Sequence, residues 1–245
     1  WHPMVLATAS LVKKFDPDEI ILLPLYPQFS TTTTGSSFKA WNSVVKKISL
    51  DKPTKEICCY PTDKNLVAAQ ADLLKKESLK TKQNIRILFS AHGLPKKIIQ
   101  KGDPYQWQIE QTARAIAVKA GLDKKNWFIC YQSRVGPLEW IGPSLDEEIK
   151  KASEDNVGII VLPIAFVSEH SETLVELDIE YRNMAKDMGI PYYGRVPAIG
   201  IHPGFIVGLE ALVNNASKSD LRMLSGQGNR ICPVDRKFCG HGGET

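Results

Sequence analysis

The sequence predicts an α/β protein made of two related halves that carry parallel sheets and face one another across a cleft. Short apolar runs alternate with amphipathic stretches, which is typical of parallel strands joined by right-handed helical crossovers. A weak internal similarity indicates two halves. Residues 22–37 (LLPLYPQFSTTTTGSS) and residues 161–174 (VLPIAFVSEHSETL) both run from an apolar strand through Leu-Pro to a hydroxyl-rich segment.

Four apolar runs are predicted to be central strands, because each is short, apolar throughout and rich in β-branched residues. They cover residues 20–26, 85–90, 127–131 and 157–166. Helical periodicity is found over residues 38–48, 65–76, 106–120, 144–152 and 172–188. The last of these predicted helices has one apolar stripe, formed by Leu174, Leu177, Tyr181, Met184 and Met188.

Polar segments mark the expected boundaries. The polar stretch 77–84 is predicted to separate the halves. The segment from Ser225 onward, rich in Gly and polar residues, is predicted to pack poorly. The chain starts at Trp1 and not at an initiator Met, so we interpret it as a fragment without its N-terminal part.

Composition argues against several classes of protein. Of the 245 residues, 43% are hydrophobic and 24% charged, as in ordinary soluble proteins. The formal net charge of +4 is small and no Lys/Arg stripe is interleaved with aromatics, which argues against nucleic-acid binding. No apolar run approaches the roughly 20 residues of a membrane span, and no signal peptide is recognised. Five irregularly spaced cysteines favour a reducing compartment, so a cytoplasmic location is expected.

His92 directly follows the strand predicted at residues 85–90. Ligands of α/β proteins bind at the carboxyl ends of parallel strands, which is where this side chain would lie. With an ordinary pKa near ~6.5, its imidazole can accept a proton or bind a metal at neutral pH. The alternative is a histidine that only hydrogen-bonds its own loop.

A row of ionisable side chains follows the strand that ends at Phe166. His170 and Glu172 come first, and Glu176 and Glu180 repeat at four-residue steps near one face of a helix. No Lys or Arg stands four residues from these glutamates, so their repulsion is not compensated within the helix. The row is therefore either a solvated acidic face or a site for a cation or for protons.

Other motifs are less specific. The hydroxyl run 31–34 could bind an anion or cap a helix, and no G-x-G-x-x-G or P-loop pattern is present. Trp140, between two Gly-Pro pairs, is either a ligand platform or part of the core. Cysteines within strand-like runs are expected to be buried thiols. Cys232 and Cys239 alone cannot complete a zinc site or a four-thiolate cluster.

Several long segments together resemble the ferrochelatase family. They are LYPQFSTTTTGSS, FSAHGLP, GDPYQWQIEQTARAI, YQSRVGPLEWIGPSLDEEIKK and LPIAFVSEHSETLVELDIEY. They occur in the family's order, and the initial WHP resembles an aromatic-His-Pro segment midway through the family's first domain. The resemblance implies a lyase that inserts ferrous iron into protoporphyrin IX in the last step of heme biosynthesis. It also implies two Rossmann-like halves with the porphyrin bound between them.

The resemblance assigns roles to individual residues. His92 matches the family's essential histidine, and His170 and Glu172 match its second His-x-Glu element. We therefore expect His92 and Glu172 to be catalytic. The residues expected to contact the metal are His92, His170, Glu172, Glu176 and Glu180, of which the last two continue an acidic path. The residues expected around the porphyrin are Tyr26, Ser133, Trp140 and Phe166.

The resemblance also implies a domain order and a cofactor content. Residues 1–84 would belong to the first half, 85–201 to the second, 202–224 to a last helix packed back on the first half, and 225–245 to a tail. Ferrous iron would be a substrate, with no cofactor retained. Some family members carry a [2Fe–2S] cluster held by one cysteine in a PQ-x-S-x segment and three near the C-terminus. Here Thr31 stands at the first place and only Cys232 and Cys239 lie in the tail, so a cluster of that pattern is not expected. An arrangement that uses cysteines beyond this C-terminus is left open.

Three other functions compete with this interpretation. The chain could be a related chelatase that uses coproporphyrin or inserts cobalt, or a heme- or metal-binding fragment without activity. A nucleotide- or sugar-binding α/β protein would have the same fold class but lacks its phosphate-binding fingerprint. An apolar product is compatible with peripheral membrane contact. The resemblance leaves the oligomeric state open.

Overall fold

The structure is a computed structural model that describes residues 3–134 and 136–242. It confirms the α/β class, because seven strands form two wholly parallel sheets. The strands are β1 (Ile20–Leu22), β2 (Thr54–Cys59), β3 (Ile85–His92), β4 (Trp127–Gln132), β5 (Gly158–Pro163), β6 (Tyr193–Arg195) and β7 (Met223–Ser225). The first sheet has the order β1-β2-β7 and the second β4-β3-β5-β6.

The second sheet positions the candidate site. Its middle strands are almost entirely buried, since β3 pairs with both β4 and β5, and every residue of β5 is buried. In the register of the sheet, His92 lies beside Gln132. Ser90 lies beside Pro163. The carboxyl ends of three parallel strands therefore meet at one edge, as ligand sites of α/β proteins require.

Helices connect the strands. They are α1 (Val5–Phe15), α2 (Thr34–Lys47), α3 (Lys64–Ser78), α4 (Lys96–Gln100), α5 (Tyr105–Ala120), α6 (Leu145–Glu154), α7 (Tyr181–Asp187) and α8 (Pro203–Ser217). Local chemistry fixes several helix starts. The Asp63 carboxylate accepts hydrogen bonds from the first free N–H groups of α3. Ser144 and Glu147 form a reciprocal capping box at the start of α6. No helix within the described residues is long and apolar enough to cross a membrane.

The helix predicted over residues 172–188 begins as a π-helix, Glu172–Glu180, and continues as α7. Its i→i+5 hydrogen bonds make a wider turn than those of an α-helix. The predicted apolar stripe is therefore wrong in part. Leu177 is fully buried, whereas Leu174 is 47% exposed and Met188 39% exposed. Long π-helices are rare and occur often at functional sites, so this segment is a candidate part of the functional site.

The two sheets are linked by shared helix packing. α3 packs against both α5 and α8. Its residues Val67 and Leu74 belong to the same core cluster as Phe89 of the second sheet. Its residue Leu66 belongs to the core cluster of Phe205 on α8. The chain thus returns to the first sheet after the second is built, while the exact division into domains stays a prediction.

The prediction of a poorly packed segment after Ser225 is wrong for the residues that the structure describes. Cys232 and Cys239 are buried, and Ser225 ends a strand paired with β2. The Gln108 amide donates to the Cys232 sulfur over 3.1 Å. The Phe238 N–H donates to the Gly102 carbonyl. Polar contacts with earlier parts of the chain fix this segment in place. The prediction rested on its Gly-rich composition, which does not reveal such contacts. Residues 243–245, like Trp1 and His2 of the WHP segment, lie outside the described residues.

Candidate active site

His92 and Glu172 form the centre of the candidate site. The His92 Nδ1 lies 2.8 Å from the Glu172 Oε2, which joins the end of β3 to the first residue of the π-helix. This hydrogen bond to the carboxylate raises the pKa of His92, and His92 in turn lowers the pKa of Glu172. Both side chains are partly open to solvent, at 41% and 28% exposure, so a ligand can reach the pair.

This contact fixes how the imidazole can act. The His92 Nδ1–H donates to Glu172, which leaves the Nε2 lone pair for a proton or a metal. Within residues 3–134 and 136–242, Nε2 has no hydrogen-bond partner, while the main chain of His92 is held by the Tyr105 hydroxyl at 3.0 Å. A carboxylate that orients a histidine in this way also stabilises its protonated form.

His170 belongs to the same group. Its Nε2 lies 3.9 Å from the Glu172 Oε2, and its ring centroid lies 5.0 Å from that of Phe166. The Thr173 hydroxyl accepts from the His170 N–H and donates to the His170 carbonyl. The turn before the π-helix is thereby fixed, and with it the His-x-Glu spacing that the sequence displays.

The Glu176 carboxylate accepts hydrogen bonds from two residues at the end of β4. The Ser133 hydroxyl lies 2.7 Å from its Oε2, and the Gln132 amide donates to the same oxygen over 3.1 Å. Gln132 also donates to the Glu172 carbonyl over 2.8 Å and accepts from the buried Ser90 hydroxyl over 2.7 Å. Sequence reasoning gave no role to Gln132 or Ser90. Gln132 does stand in the YQSR segment, directly after an apolar run. A polar residue that is buried at such a position indicates a functional or structural role.

The other predicted site residues are not among the hydrogen bonds and ion pairs described around His92 and Glu172, and Phe166 contacts this group through the ring of His170. Glu180 is exposed at the end of the π-helix, and Tyr26 is 51% exposed in the segment after β1. Trp140 is half-buried, with an indole Nε1 that is buried and unpaired among the described groups. Phe166 is buried. The described contacts join His92, His170, Glu172, Ser133 and Glu176, and do not join Tyr26, Trp140 or Glu180 to them.

The side chains of this site pair with one another and form no closed cage. Among the described residues, no group of three or more His, Cys, Asp or Glu side chains converges on one point as metal ligands do. A divalent ion that passed through would meet an imidazole nitrogen and carboxylate oxygens in succession.

Hydroxyls at the start of the run after β1 are engaged within the protein, and the expected side-chain cap of the following helix is absent. The Ser30 and Thr31 hydroxyls donate to the Asp103 carboxylate, over 3.0 and 2.6 Å. The Thr31 N–H donates to the same oxygen, while Thr33 precedes α2 without a side-chain cap. Asp103 thus provides the negative charge that an external anion would bring. This link ties the first half to the start of α5.

Comparisons with known proteins identify the family of this chain. The family described as Ferrochelatase matches residues 1–217. The ferrochelatase of Caulobacter vibrioides (strain NA1000 / CB15N) is 49% identical over 243 residues, covering 98% of this chain and 68% of its own length. That of Pelagibacter ubique (strain HTCC1062) is 49% identical over 214 residues, covering 87% of this chain and 62% of its own. The chain therefore spans about two thirds of the length of these curated relatives.

A solved structure supports the fold. The structure described as SirB from Bacillus subtilis with Fe3+ matches with a TM-score of 0.64, covering 89% of this chain and 79% of its own. Since only 14% of the residues are identical, this likeness concerns the fold alone.

Proposed function

The chain belongs to the ferrochelatase family, and from that premise we propose that His92 and Glu172 carry out the proton and metal chemistry of this iron-inserting lyase of heme biosynthesis. The observation that carries the proposal is the 2.8 Å contact between them at the carboxyl ends of the central strands. The substrates of the family are a porphyrin and iron, and iron is consumed in the reaction. We take protoporphyrin IX as the ring.

Metal insertion sets three demands on the protein. Two pyrrole N–H protons must leave the ring while Fe²⁺ loses its water and moves into the ring plane. The site must therefore hold the ring, offer a base and give the protons a way out. An imidazole with an ordinary pKa near ~6.5 suits the base, and carboxylates suit a hydrated divalent ion.

His92 meets the demand for a base. Its Nε2 can accept a pyrrole proton, because Nδ1 is already held by Glu172. The carboxylate then stabilises the imidazolium that forms, which is consistent with the raised pKa of His92. The same Nε2 lone pair could instead bind the incoming iron. Both roles need the Glu172 contact, so the two residues are expected to act as one unit.

Glu172 and Glu176 provide the path for charge. Both carboxylates are reached by the Ser133 hydroxyl, and Glu176 is also held by Gln132. His170 lies beside Glu172 at the outer side of the pair. From Glu176 the π-helix leads to the exposed Glu180, so protons or hydrated iron can travel along its acidic face. Tyr26, Ser133, Trp140 and Phe166 are proposed to surround the porphyrin. The proposed location is the cytoplasm, with peripheral membrane contact because heme is apolar.

Replacing His92 by alanine tests the proposal. Metal insertion is expected to be lost, while porphyrin binding stays within about tenfold, or ~1.4 kcal/mol, because the ring contacts other side chains. The measurement is the fluorescence of added protoporphyrin under anaerobic conditions, followed over time with Fe²⁺ or Zn²⁺.

The matched control changes a histidine outside the site. His202 begins α8 and faces Asp72, and His202→Asn keeps a side chain that can cap the helix. This variant is expected to insert metal at a nearly normal rate. Near-normal turnover in His92→Ala would refute the assignment, whereas porphyrin binding without turnover in the unchanged chain would indicate a binding fragment.

A further inference from the structure

A row of buried polar contacts joins the segment after β1 to α5, and the proton and metal chemistry proposed above does not use it. The Gln28 amide donates to the Thr112 hydroxyl over 3.0 Å, and the Phe29 N–H donates to the Gln108 side-chain oxygen over 2.7 Å. None of these four residues is more than 4% exposed. We use the name polar seam for these contacts and those of Asp103, formed by residues 28–31, Asp103, Gln108 and Thr112.

Asp103 receives most of the hydrogen bonds in the polar seam. Its Oδ2 accepts from the Ser30 hydroxyl, the Thr31 N–H and the Thr31 hydroxyl, over 3.0, 2.8 and 2.6 Å. Its Oδ1 accepts from the Tyr105 N–H over 2.9 Å. The residue is 1% exposed, so four neutral donors surround a buried carboxylate. A buried charge is stable only when its hydrogen bonds are well made, which sets the positions of all four donors.

A carboxylate suits the position of Asp103 for two reasons. An ionised carboxylate is an acceptor only, whereas an asparagine would turn an NH2 group toward some of the same donors. The position also lies just before Tyr105, the first residue of α5, where the helix dipole favours a negative charge. The start of the hydroxyl run after β1 is therefore one half of a contact. Its other half is the Gly-Asp-Pro-Tyr segment at residues 102–105.

Tyr105 extends this contact to His92. Its hydroxyl donates to the His92 carbonyl over 3.0 Å, and the residue is 7% exposed. The pairing of β3 with β5 ends where Ser90 lies beside Pro163, and the Ser90 carbonyl accepts from the Ile164 N–H. Two residues further on, the His92 carbonyl faces the same side of β3 beyond the end of β5, because carbonyl directions alternate along a strand. The Tyr105 hydroxyl thus takes the place of a neighbouring strand at the last residue of β3.

Both ends of this chain of contacts belong to the proposed site. Ser30 and Thr31 follow the segment that contains Tyr26, which is proposed to contact the porphyrin, and Tyr105 contacts the residue that provides the base. Misplacement of a reacting group by about 1 Å can lower a rate ~100-fold. A fully satisfied buried polar network specifies one arrangement of the parts that it joins. The polar seam is therefore suited to fix the distance between the porphyrin wall and the imidazole.

We propose that Asp103 and Tyr105 are positioning residues for metal insertion, which set the place of His92 relative to the porphyrin wall. Asp103 does so through Ser30 and Thr31 on one side and the Tyr105 N–H on the other, and Tyr105 does so through the His92 carbonyl. The inference rests on the proposed function, because it takes His92 as the base or the metal ligand. It also gives the hydroxyl run after β1 a role in the reaction.

The tautomer of the His92 imidazole tests the proposal without turnover. In the unchanged chain the Nδ1–H form is expected, since Nδ1 lies 2.8 Å from the Glu172 Oε2. Nitrogen NMR distinguishes the two neutral forms well above the ordinary histidine pKa, and His92→Ala identifies the signal. Tyr105→Phe removes one hydroxyl and keeps the ring. We expect the Nδ1–H signal to give way to a mixture of both forms, because the strand end that carries the imidazole is released.

Tyr192→Phe is the matched control. Its hydroxyl donates to the Glu77 carboxylate over 3.3 Å, and its carbonyl accepts from the Ile159 N–H near the amino end of β5, at the opposite edge of the sheet from His92. The imidazole signal of this variant is expected to match that of the unchanged chain. Circular dichroism shows whether each variant is folded. An imidazole that keeps the Nδ1–H form in Tyr105→Phe would overturn the positioning role.

Asp103→Asn tests the second positioning residue. The amide keeps the size of the carboxylate and loses part of its acceptor capacity. The imidazole signal is expected to change as it does in Tyr105→Phe, and the double variant should show no larger change, because both residues act through one contact. Asp63→Asn makes the same exchange at the start of α3 and should leave the signal in place. An unchanged signal in Asp103→Asn, or additive changes in the double variant, would refute the role of Asp103. Should Asp103→Asn fail to fold, Tyr105→Phe alone decides.

Turnover distinguishes this proposal from the assignment of His92 itself. In Tyr105→Phe, kcat is expected to fall about tenfold or more, because the base is misplaced. The Kd for protoporphyrin should stay within about twofold, because the porphyrin contacts are kept. Normal kcat in Tyr105→Phe together with lost insertion in His92→Ala would overturn the positioning role and leave the proposed function intact. Near-normal insertion by His92→Ala would instead overturn the proposed function, and this proposal with it.

Discussion

A single carboxylate, Glu172, controls when His92 is neutral. Its hydrogen bond raises the pKa of His92 above the ordinary value, and the more distant Glu176 charge acts in the same direction. A base must be unprotonated before it can accept a proton. The carboxylate therefore strengthens the base and at the same time moves its working range to higher pH.

The variant Glu172→Gln tests this balance. We expect a large loss of kcat, and the acidic limb of the kcat/KM profile should move to lower pH. The sign follows from the pKa: activity falls as His92 becomes protonated, and without the carboxylate its pKa returns toward ~6.5. The measurement is the insertion rate across pH 5 to pH 9, a range of about four units around that value.

Glu154→Gln is the matched control, because Glu154 is an exposed carboxylate at the end of α6. Its acidic limb is expected to coincide with that of the unchanged chain. If Glu172→Gln alters only the unfolding transition and leaves the profile in place, Glu172 has a structural role only.

At the scale of elements, the π-helix depends on contacts from outside itself. Gln132 holds its first carbonyl, and Arg195 of β6 forms ion pairs with Asp178 in its middle and Glu169 before it. These contacts orient the carboxylates relative to β3. The geometry of the site is therefore a property of the sheet edge as much as of the helix.

Gln132→Leu should loosen this attachment. The change leaves the Ser90 hydroxyl, the Glu172 carbonyl and Glu176 with fewer partners, so we expect a loss of about 1–3 kcal/mol in the free energy of unfolding. Denaturant unfolding measures this loss, and kcat is expected to fall with it. In the double variant with Ser90→Ala, part of the loss should be recovered, because the stranded hydroxyl is gone. Strictly additive losses would contradict the network.

The π-helix also shows the limit of sequence reasoning. The four-residue spacing of the glutamates correctly predicted a helix with its acidic residues after the strand. It did not predict the wider turn, because an i→i+5 pattern depends on tertiary contacts such as those of Gln132 and Arg195. For the same reason Leu174 was placed in the core, although it faces outward.

Short strands were missed for a related reason. β6 and β7 have three residues each, and β7 is recognisable only by its pairing with β2. By contrast, long apolar runs such as that of β5 were predicted within a few residues. His92 and Glu172 were each predicted to be catalytic through the family resemblance, whereas their direct contact and the role of Gln132 required the fold.

At the scale of the whole molecule, α3 and α8 join two sheets into one structure. Phe205 of α8 is 3% exposed and belongs to the same core cluster as Leu66 and Ile199. The cluster spans segments that are far apart in the sequence. A substitution in the core face of α8 should therefore destabilise segments that are far from it in the sequence.

Phe205→Ala is expected to lower the free energy of unfolding by about 3–5 kcal/mol through the cavity it leaves. Ile206→Ala, at a neighbouring residue that is 46% exposed, should change it by no more than about 0.5 kcal/mol. Circular dichroism and tryptophan fluorescence should report one shared transition, because α3 contributes to the cores of both sheets. An early transition seen by one probe only would show that the sheets unfold separately.

Because β7 pairs with β2, the sheet that contains β1 and β2 gains this strand only after the second sheet has been synthesised. A ribosome releases β1 and β2 early, but their third strand follows only after the whole second sheet. Until then the far edge of β2, including Cys58 and Cys59, is open to other chains. Domains generally fold from the N-terminus as the chain emerges. Here the sheet of β1 and β2 cannot take up β7 until the second sheet has been synthesised. A nascent chain is thus expected to need protection by chaperones, above all for β1 and β2.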